Sequence, residues 1–254
     1  MKIKLPNRNL NFFSVNLITI FLAFSTFAEV KKIQHPLAEK GLTKIEADGT
    51  YVYKVDLLEK TQTGILRIGS MDAPQITSKD GSTSFADMYG SGSHPILMYD
   101  YEWQPLNKWG KLGLQFGTGL FSATGSGHFA SGAESIEKYT FHVIPINYGV
   151  VYRLEFLQKQ WLAPYISGGG TYNLVAEIRD DNEKSNYLGV AGAYVATGAM
   201  IDITAFDRDT ALIMNKEYDL GKLWLTLEYR RSQTFRNDVE LSSNLVTIGF
   251  GADY

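Results

Sequence analysis

The chain has 254 residues, 44% hydrophobic and 13% aromatic, enough to bury a sizeable core in one or two domains. It contains no cysteine, which excludes disulfides, thiolate metal sites and a lipid-modified N-terminal cysteine. The formal net charge of -3 gives no general pull toward nucleic acid, and no basic patch stands out.

Residues 1–28 have the order of a secretory signal. Lys2, Lys4 and Arg8 form a positive start, Asn16 to Phe24 a short apolar stretch, and Ser25-Thr26-Phe27-Ala28 supplies small residues before Glu29. The apolar stretch is much shorter than the ~20 residues a spanning helix needs. Cleavage after Ala28 removes three positive charges and no acids, taking the net charge from -3 to -6. Residues 29–63 read as a separate N-terminal segment. Within it Thr50 to Leu58 alternates, with Tyr51, Tyr53, Val55 and Leu57 against Val52, Lys54, Asp56 and Leu58. That pattern fits either an extra strand at a barrel rim or the lower part of a long first barrel strand.

From residue 64 to residue 254 the spacing predicts eight strands, over Gly64–Met71, Pro95–Trp103, Lys111–Phe121, Tyr139–Leu154, Trp161–Glu177, Leu188–Ile203, Lys222–Arg231 and Asn244–Tyr254. Side chains alternate faces along a strand, so each strand divides into two sets. The third sets Leu112, Leu114, Phe116, Thr118 and Leu120 against Gly113, Gln115, Gly117 and Gly119. The last sets Val246, Ile248, Phe250, Ala252 and Tyr254 against Thr247, Gly249, Gly251 and Asp253. One set is apolar and the other small or polar, which suits a closed barrel with acyl chains outside and a cramped lumen inside. Gly168-Gly169-Gly170 reads as close strand packing.

Connection lengths support the same order. Gln104–Gly110 and Glu155–Gln160 are short, whereas 72–94, 122–138, 178–187 and 232–243 are long and rich in Gly, Ser, Asp and Asn. Alternation of short turns and long outward loops is what a bacterial barrel shows. The exception is 205–221, where Thr210 to Asn215 is expected to form a short helix under the barrel. Trp103, Trp109, Trp161 and Trp224 all fall on the short-turn side, as an interfacial girdle would place them, although parity puts Trp161 and Trp224 on the inner face. The expected fold class is therefore all-β, an antiparallel transmembrane β-barrel of eight strands (alternatively ten), with short periplasmic helix or turn elements. A soluble periplasmic lipocalin-like binding protein is the structural rival, because it alternates too.

The inner set carries Arg67, Asp100, Glu102, Arg153, Asp202, Glu228 and Arg230. An eight-stranded barrel leaves room only for side chains, so a network of paired charges is favoured over an ion or solute path. Asp100, Glu102, Arg153 and Asp202 are expected toward the periplasmic end. An envelope-lipid-modifying barrel enzyme would need a nucleophile beside a base. Of the four histidines, His35 lies in the leader, His94 and His128 in outward loops, and His142 on the lipid side of the fourth strand with Ile144 two residues on, where a serine would be wanted. No catalytic set, metal-ligand cluster, cofactor motif or nucleic-acid motif is found, and the chain is read as no enzyme. The largest outward loop, 72–94, is expected to bind a surface partner, to fold over the mouth, or equally to do no more than shield the barrel.

The signal over Met1–Ala28, the eight alternating segments over 64–254 and the terminal Phe250-Gly251-Ala252-Asp253-Tyr254 together resemble the small outer-membrane β-barrel proteins of Gram-negative bacteria, the eight-stranded OmpA, OmpX and OmpW type. That resemblance implies an outer-membrane location, contact with outer-membrane lipid and lipopolysaccharide, and a structural, surface-interaction or minor permeation role. It also implies that the C-terminal strand is read by the barrel-assembly machinery, with Ile248, Phe250 and Tyr254 as the matching residues. Residues 29–63 would then be periplasmic. The segment 29–63 and the long 205–221 connection depart from the simplest members.

Overall fold

The computed structural model describes residues 42–53, 60–76, 84–128, 134–157, 160–180, 185–235 and 241–254, which fall into two units divided at Asp56 and Leu57. The expected signal over 1–28 and His35 lie outside the described residues. In the first unit, β1 (Leu42–Ile45) and β2 (Tyr51–Tyr53) form a two-stranded antiparallel sheet. Its turn is closed by the Glu46 amide donating to the Thr50 carbonyl at 2.9 Å. The Asp48 carboxylate accepts from the Thr50 amide at 2.9 Å, and the Thr50 donors hold it below the usual carboxylate range. Of the alternating run Thr50–Leu58, the described strand residues Tyr51–Tyr53 pair with β1 and not with the barrel.

The second unit is a closed antiparallel barrel of eight strands, not ten. These are β3 (Gln62–Met71), β4 (His94–Leu106), β5 (Lys111–His128), β6 (Glu134–Arg153), β7 (Leu162–Arg179), β8 (Asn186–Asp202), β9 (Leu223–Thr234) and β10 (Ser243–Asp253). Each pairs with its neighbour in sequence, and β10 closes the ring on β3 through Phe250 opposite Leu66 and Asp253 opposite Thr63. The period of two decides which side chains meet. In β10 the residues Ser243, Leu245, Thr247, Gly249, Gly251 and Asp253 are buried, while Asn244, Val246, Ile248 and Phe250 are exposed.

All eight strands present apolar side chains outward: Ile68, Leu97, Phe116, Ile146, Ile166, Val195, Leu227 and Ile248 among them, each two-fifths exposed or more. The inward set over the lower half of the barrel carries the buried charges, interleaved with a small apolar cluster of Ile65, Val151, Ala163, Tyr165, Met200 and Trp224. A lipocalin-like barrel has the opposite arrangement, an apolar cavity within a hydrated exterior. The faces here are therefore the wrong way round for the soluble alternative. Apolar side chains exposed on every strand of a closed ring are not the single patch of a few hundred Å² that a monomer in water carries.

Strand heights are uneven. β5, β6, β7 and β8 run 17–20 residues, against 10–13 for the other four. The segment 122–138, expected as an outward loop, is mostly hairpin: β5 extends to His128 and β6 begins at Glu134, with Ala123 opposite Phe141 and Gly125 opposite Tyr139. Gly125-Ser126-Gly127 has little strand preference of its own, but Tyr139 opposite Gly125 and Lys138 opposite Ser126 continue the ladder set by Phe141 opposite Ala123 and Thr140 opposite Thr124. His128 thus ends a strand instead of sitting in a loop.

Two short helices complete the unit. α1 (Phe85–Tyr89) lies in the β3–β4 connection and carries a complete capping box, with the Ser84 hydroxyl accepting from the Asp87 amide and the Asp87 carboxylate accepting from the Ser84 amide at 2.8 Å. α2 (Arg208–Tyr218) occupies the β8–β9 connection where a short helix was expected, and is several residues longer. It ends at Asp219 in the left-handed region, φ 57°, whose carboxylate meets Lys60. In the tight β4–β5 turn Gly110 has φ 87°, and a Cβ there would come within 2.7 Å of the Arg153 carbonyl, so only glycine fits. Trp161, expected inward, precedes β7, where the alternation has not yet begun, and is half exposed; Trp103 and Trp109 are exposed too, whereas Trp224 is wholly buried.

Candidate functional site in the barrel lumen

The lumen fills in layers from the short-turn end upward. At the bottom, the start of β5, the end of β6 and the end of β10 bring Lys111, Arg153 and Asp253 inside. Arg153 Nη2 lies 2.6 Å from Glu102 Oε2 and Nη1 3.4 Å from Asp253 Oδ1. Lys111 Nζ reaches Glu155 at 3.2 Å and Asp253 at 3.5 Å, and Lys222 Nζ reaches Glu155 at 2.7 Å. Thr63 donates to Asp253 at 2.6 Å across the β10–β3 seam. The buried Trp224 ring forms a floor for two of these cations, with Lys222 Nζ 5.0 Å and the Arg153 guanidinium 6.0 Å from its centre. Glu102 is completed by Gln104 at 2.7 Å and Gln115 at 3.3 Å.

The middle layer is a four-membered ring of charges. Arg67 pairs with Asp100 and lies 3.4 Å from Glu228; Arg230 lies 3.0 Å from the same Asp100 and 2.9 Å from the same Glu228. Tyr165 donates to Glu228 at 2.7 Å, and Tyr194 to Gln115 at 2.9 Å. These four charges come from β3, β4 and β9 and are fully buried. Gly117 makes room for them, since a Cβ there would collide with the Asp100 carboxylate. With each charge facing two of opposite sign, the desolvation of the group is offset by its own geometry.

Above the charges the wall becomes apolar: Met71, Ile96, Met98, Phe121, Val143, Val175, Val190 and Leu245 form one cluster with the mouth. α1 is folded into that mouth. Phe85 and Tyr89 are buried there, with the Phe85 ring 5.2 Å from Phe141, 5.7 Å from His94 and 6.3 Å from Phe121. The Tyr89 hydroxyl donates to Glu177 at 2.9 Å, and burial with that carboxylate pushes the phenol well above its ordinary pKa. Gly125 permits the approach, because a Cβ there would overlap the Met88 carbonyl. Between apolar cap and charged ring lies a chamber of about 30 Å³.

The structure therefore distributes the seven expected lumen residues over two layers. Asp100 joins Arg67, Glu228 and Arg230 in the middle and does not pair with Arg153, as its expected place near the periplasmic end would have allowed. Glu102 and Arg153 meet in the lower layer. Asp202 is buried but turns to cap the short 3-10 turn Ile203–Ala205, accepting from the Thr204 amide at 2.9 Å, and comes only to 4.0 Å from Lys222. Lys111, Glu155 and Lys222, which sequence reasoning missed, hold the lower layer together; Lys111 shares parity with Gly113 and Gln115, a signal that could have found it. Ile248, Phe250 and Tyr254 stand outward and exposed at the closing strand.

His142 faces outward on β6, and Ser122 of β5 stands directly opposite it in register, a cross-strand neighbour that the interval to Ile144 could not reveal. No hydrogen bond joins the pair, the His142 Nδ1 is buried without a partner, and the flanking position on β7 is Ala176, so no acid orients the imidazole. Among the described residues no group of three His, Asp or Glu side chains is placed to hold a metal ion.

No protein-family model matches the chain, and no curated protein matches it. Similar solved structures include outer membrane protein OprG from Pseudomonas aeruginosa (11% identity, 79% of this chain and 99% of that one, TM-score 0.48). They also include Neisserial surface protein A (13%, 76% and 97%, 0.45). Ail, the attachment invasion locus protein of Yersinia pestis, solved with the heparin analogue sucrose octasulfate, is a third (11%, 75% and 99%, 0.43). The resemblance to small outer-membrane barrels expected from the sequence thus recurs among solved structures. At this identity it concerns the fold alone, which rests on the chain's own strand pairing.

Proposed function

We propose that this protein is an outer-membrane β-barrel with a closed lumen, serving a structural or surface-interaction role and not a standing solute path. The observation that carries this reading is the inversion of faces: apolar side chains point outward on all eight strands, while ion pairs fully removed from water fill the inside. An apolar exterior of that extent is matched by lipid, which solvates it without the penalty water would impose. The paired charges, the buried Trp224 and the α1 plug occupy the space a solute would need. In this reading the outer half of the belt contacts lipopolysaccharide, the 72–94 connection supplies the surface presented outside, and Ile248, Phe250 and Tyr254 form the strand recognised during assembly. The unoriented His142 gives lipid hydrolysis no support.

Membrane fractionation with boiled and unboiled electrophoresis tests the location and fold together. The chain is expected in the outer-membrane fraction with faster mobility unboiled. Recovery in the soluble periplasm with no mobility shift would refute the reading. In planar bilayers the purified barrel is expected to give no steady conductance, and regular open steps would overturn the closed lumen.

A further inference from the structure

We infer that the chamber between the charged ring and the apolar cap is a binding site for a compact carboxylate, anchored by Arg230 and Asn147. This goes beyond the closed-barrel reading and needs only the lumen itself, wherever the barrel resides.

Arg230 spends one edge of its guanidinium on structure: Nε donates to Glu228 at 2.9 Å and Nη2 to Asp100 at 3.0 Å. Its Nη1 is buried and has no hydrogen-bond partner, although the guanidinium lies 4.9 Å from the centre of the Tyr194 ring. Asn147, on β6, is 4% exposed, and its Nδ2 is likewise buried and unpartnered. Both side chains line the same chamber. Both orphaned atoms are donors, each with two N–H groups, and neither finds an acceptor among the chamber's own polar residues Thr171, Asn173, Ser232 and Ser243. Buried donors without acceptors are the costly exception in native structures and call for an explanation.

A carboxylate answers that chemistry. It offers two acceptor oxygens in one plane, and charge-assisted bonds from a guanidinium are the strong ones. Asp100 and Glu228 are already balanced by Arg67 and Arg230, so the ring presents no surplus negative charge to the newcomer. The rest of the chamber selects size and tail. Its lining also includes Met98, Phe121 and Val143, which suit a short alkyl group. At about 30 Å³ the space exceeds one water but admits only a few heavy atoms. The class implied is a short monocarboxylate of acetate or propionate size, with α1 packed above it through Phe85 on Phe121.

The test uses the full mature barrel in detergent micelles, with propionate as probe and saturation-transfer NMR as readout. Saturable propionate binding is expected, displaced by acetate and absent for propanol. Asn147→Leu keeps the bulk, removes the donors and leaves the charged ring intact; binding should weaken at least tenfold. Asn147→Asp puts a carboxylate on the wall of the same chamber and should abolish binding by repelling the ligand or taking its place. Either variant is read only where unboiled mobility shows the barrel folded, and the second serves if the first does not fold. No saturable binding, equal binding of propanol, or unchanged affinity in a folded Asn147 variant overturns the site and leaves a chamber that holds water. Such a failure would leave the mobility shift and the absent conductance untouched, so it is distinguishable from failure of the closed-barrel reading.

Discussion

Removing one member of a buried charge ring does more harm than removing a contact, because the partners stay behind uncompensated. Arg67→Met leaves Asp100 and Glu228 each with one cation fewer, and a loss of about 3–5 kcal/mol of unfolding free energy is expected. Urea unfolding of the folded barrel in lipid vesicles measures it, and a loss under about 1 kcal/mol would show the ring to be solvated. Replacing Arg67 and Asp100 together with apolar residues should recover much of the deficit, since an apolar filling has no desolvation to repay. His142→Ala, by contrast, should leave the envelope lipid profile unchanged. A shifted acyl composition in that variant would revive the enzymatic alternative through Ser122.

Single elements carry three further predictions. Ile248 is at the middle of β10, between Ile68 and Leu227, with its side chain outward. Ile248→Arg is expected to cost about 2–4 kcal/mol, the range for a cation on a lipid face near the midplane. The same substitution on a solvated wall would be almost neutral, so urea unfolding discriminates. α1 is held by Phe85 and by the Tyr89–Glu177 bond, against a wall that Gly125 keeps flat. Gly125→Val should expel the helix and expose the 84–90 segment to protease in intact cells. Because the folded Tyr89 keeps its proton to higher pH than an unfolded tyrosine, its contribution is complete below about pH 10 and is lost as pH rises beyond that. Protease sensitivity of α1 should therefore increase on the alkaline side, not the acid side. The strands and their faces were legible because one side is apolar without a break, and Thr247 to Asp253 or Gly113 to Gly119 read the same in sequence and structure. The hairpin top at Gly125-Ser126-Gly127 was not, since its strand character is supplied by Lys138 and Tyr139 across the ladder. Nor was the seating of α1, which depends on a missing Cβ two strands away.

At the scale of the whole molecule, charge inside and grease outside make one argument about solvent. The lumen charges were named from parity, yet their grouping was not, because parity assigns a face and not a height. Asp100 and Glu102 share a strand and a face but serve different rings. The closed ring also has a temporal side. Thr63 and Asp253 meet across 190 positions of chain, and every other ladder in the barrel joins neighbours in sequence. Seven hairpins can zip locally and early, but β3 keeps one naked edge until β10 arrives from the far end of the sequence. The seam is thus the slow, late step of maturation, when the molecule is most open to mispairing. Substitutions such as Thr63→Ala should slow the appearance of the compact form far more than they weaken it once made.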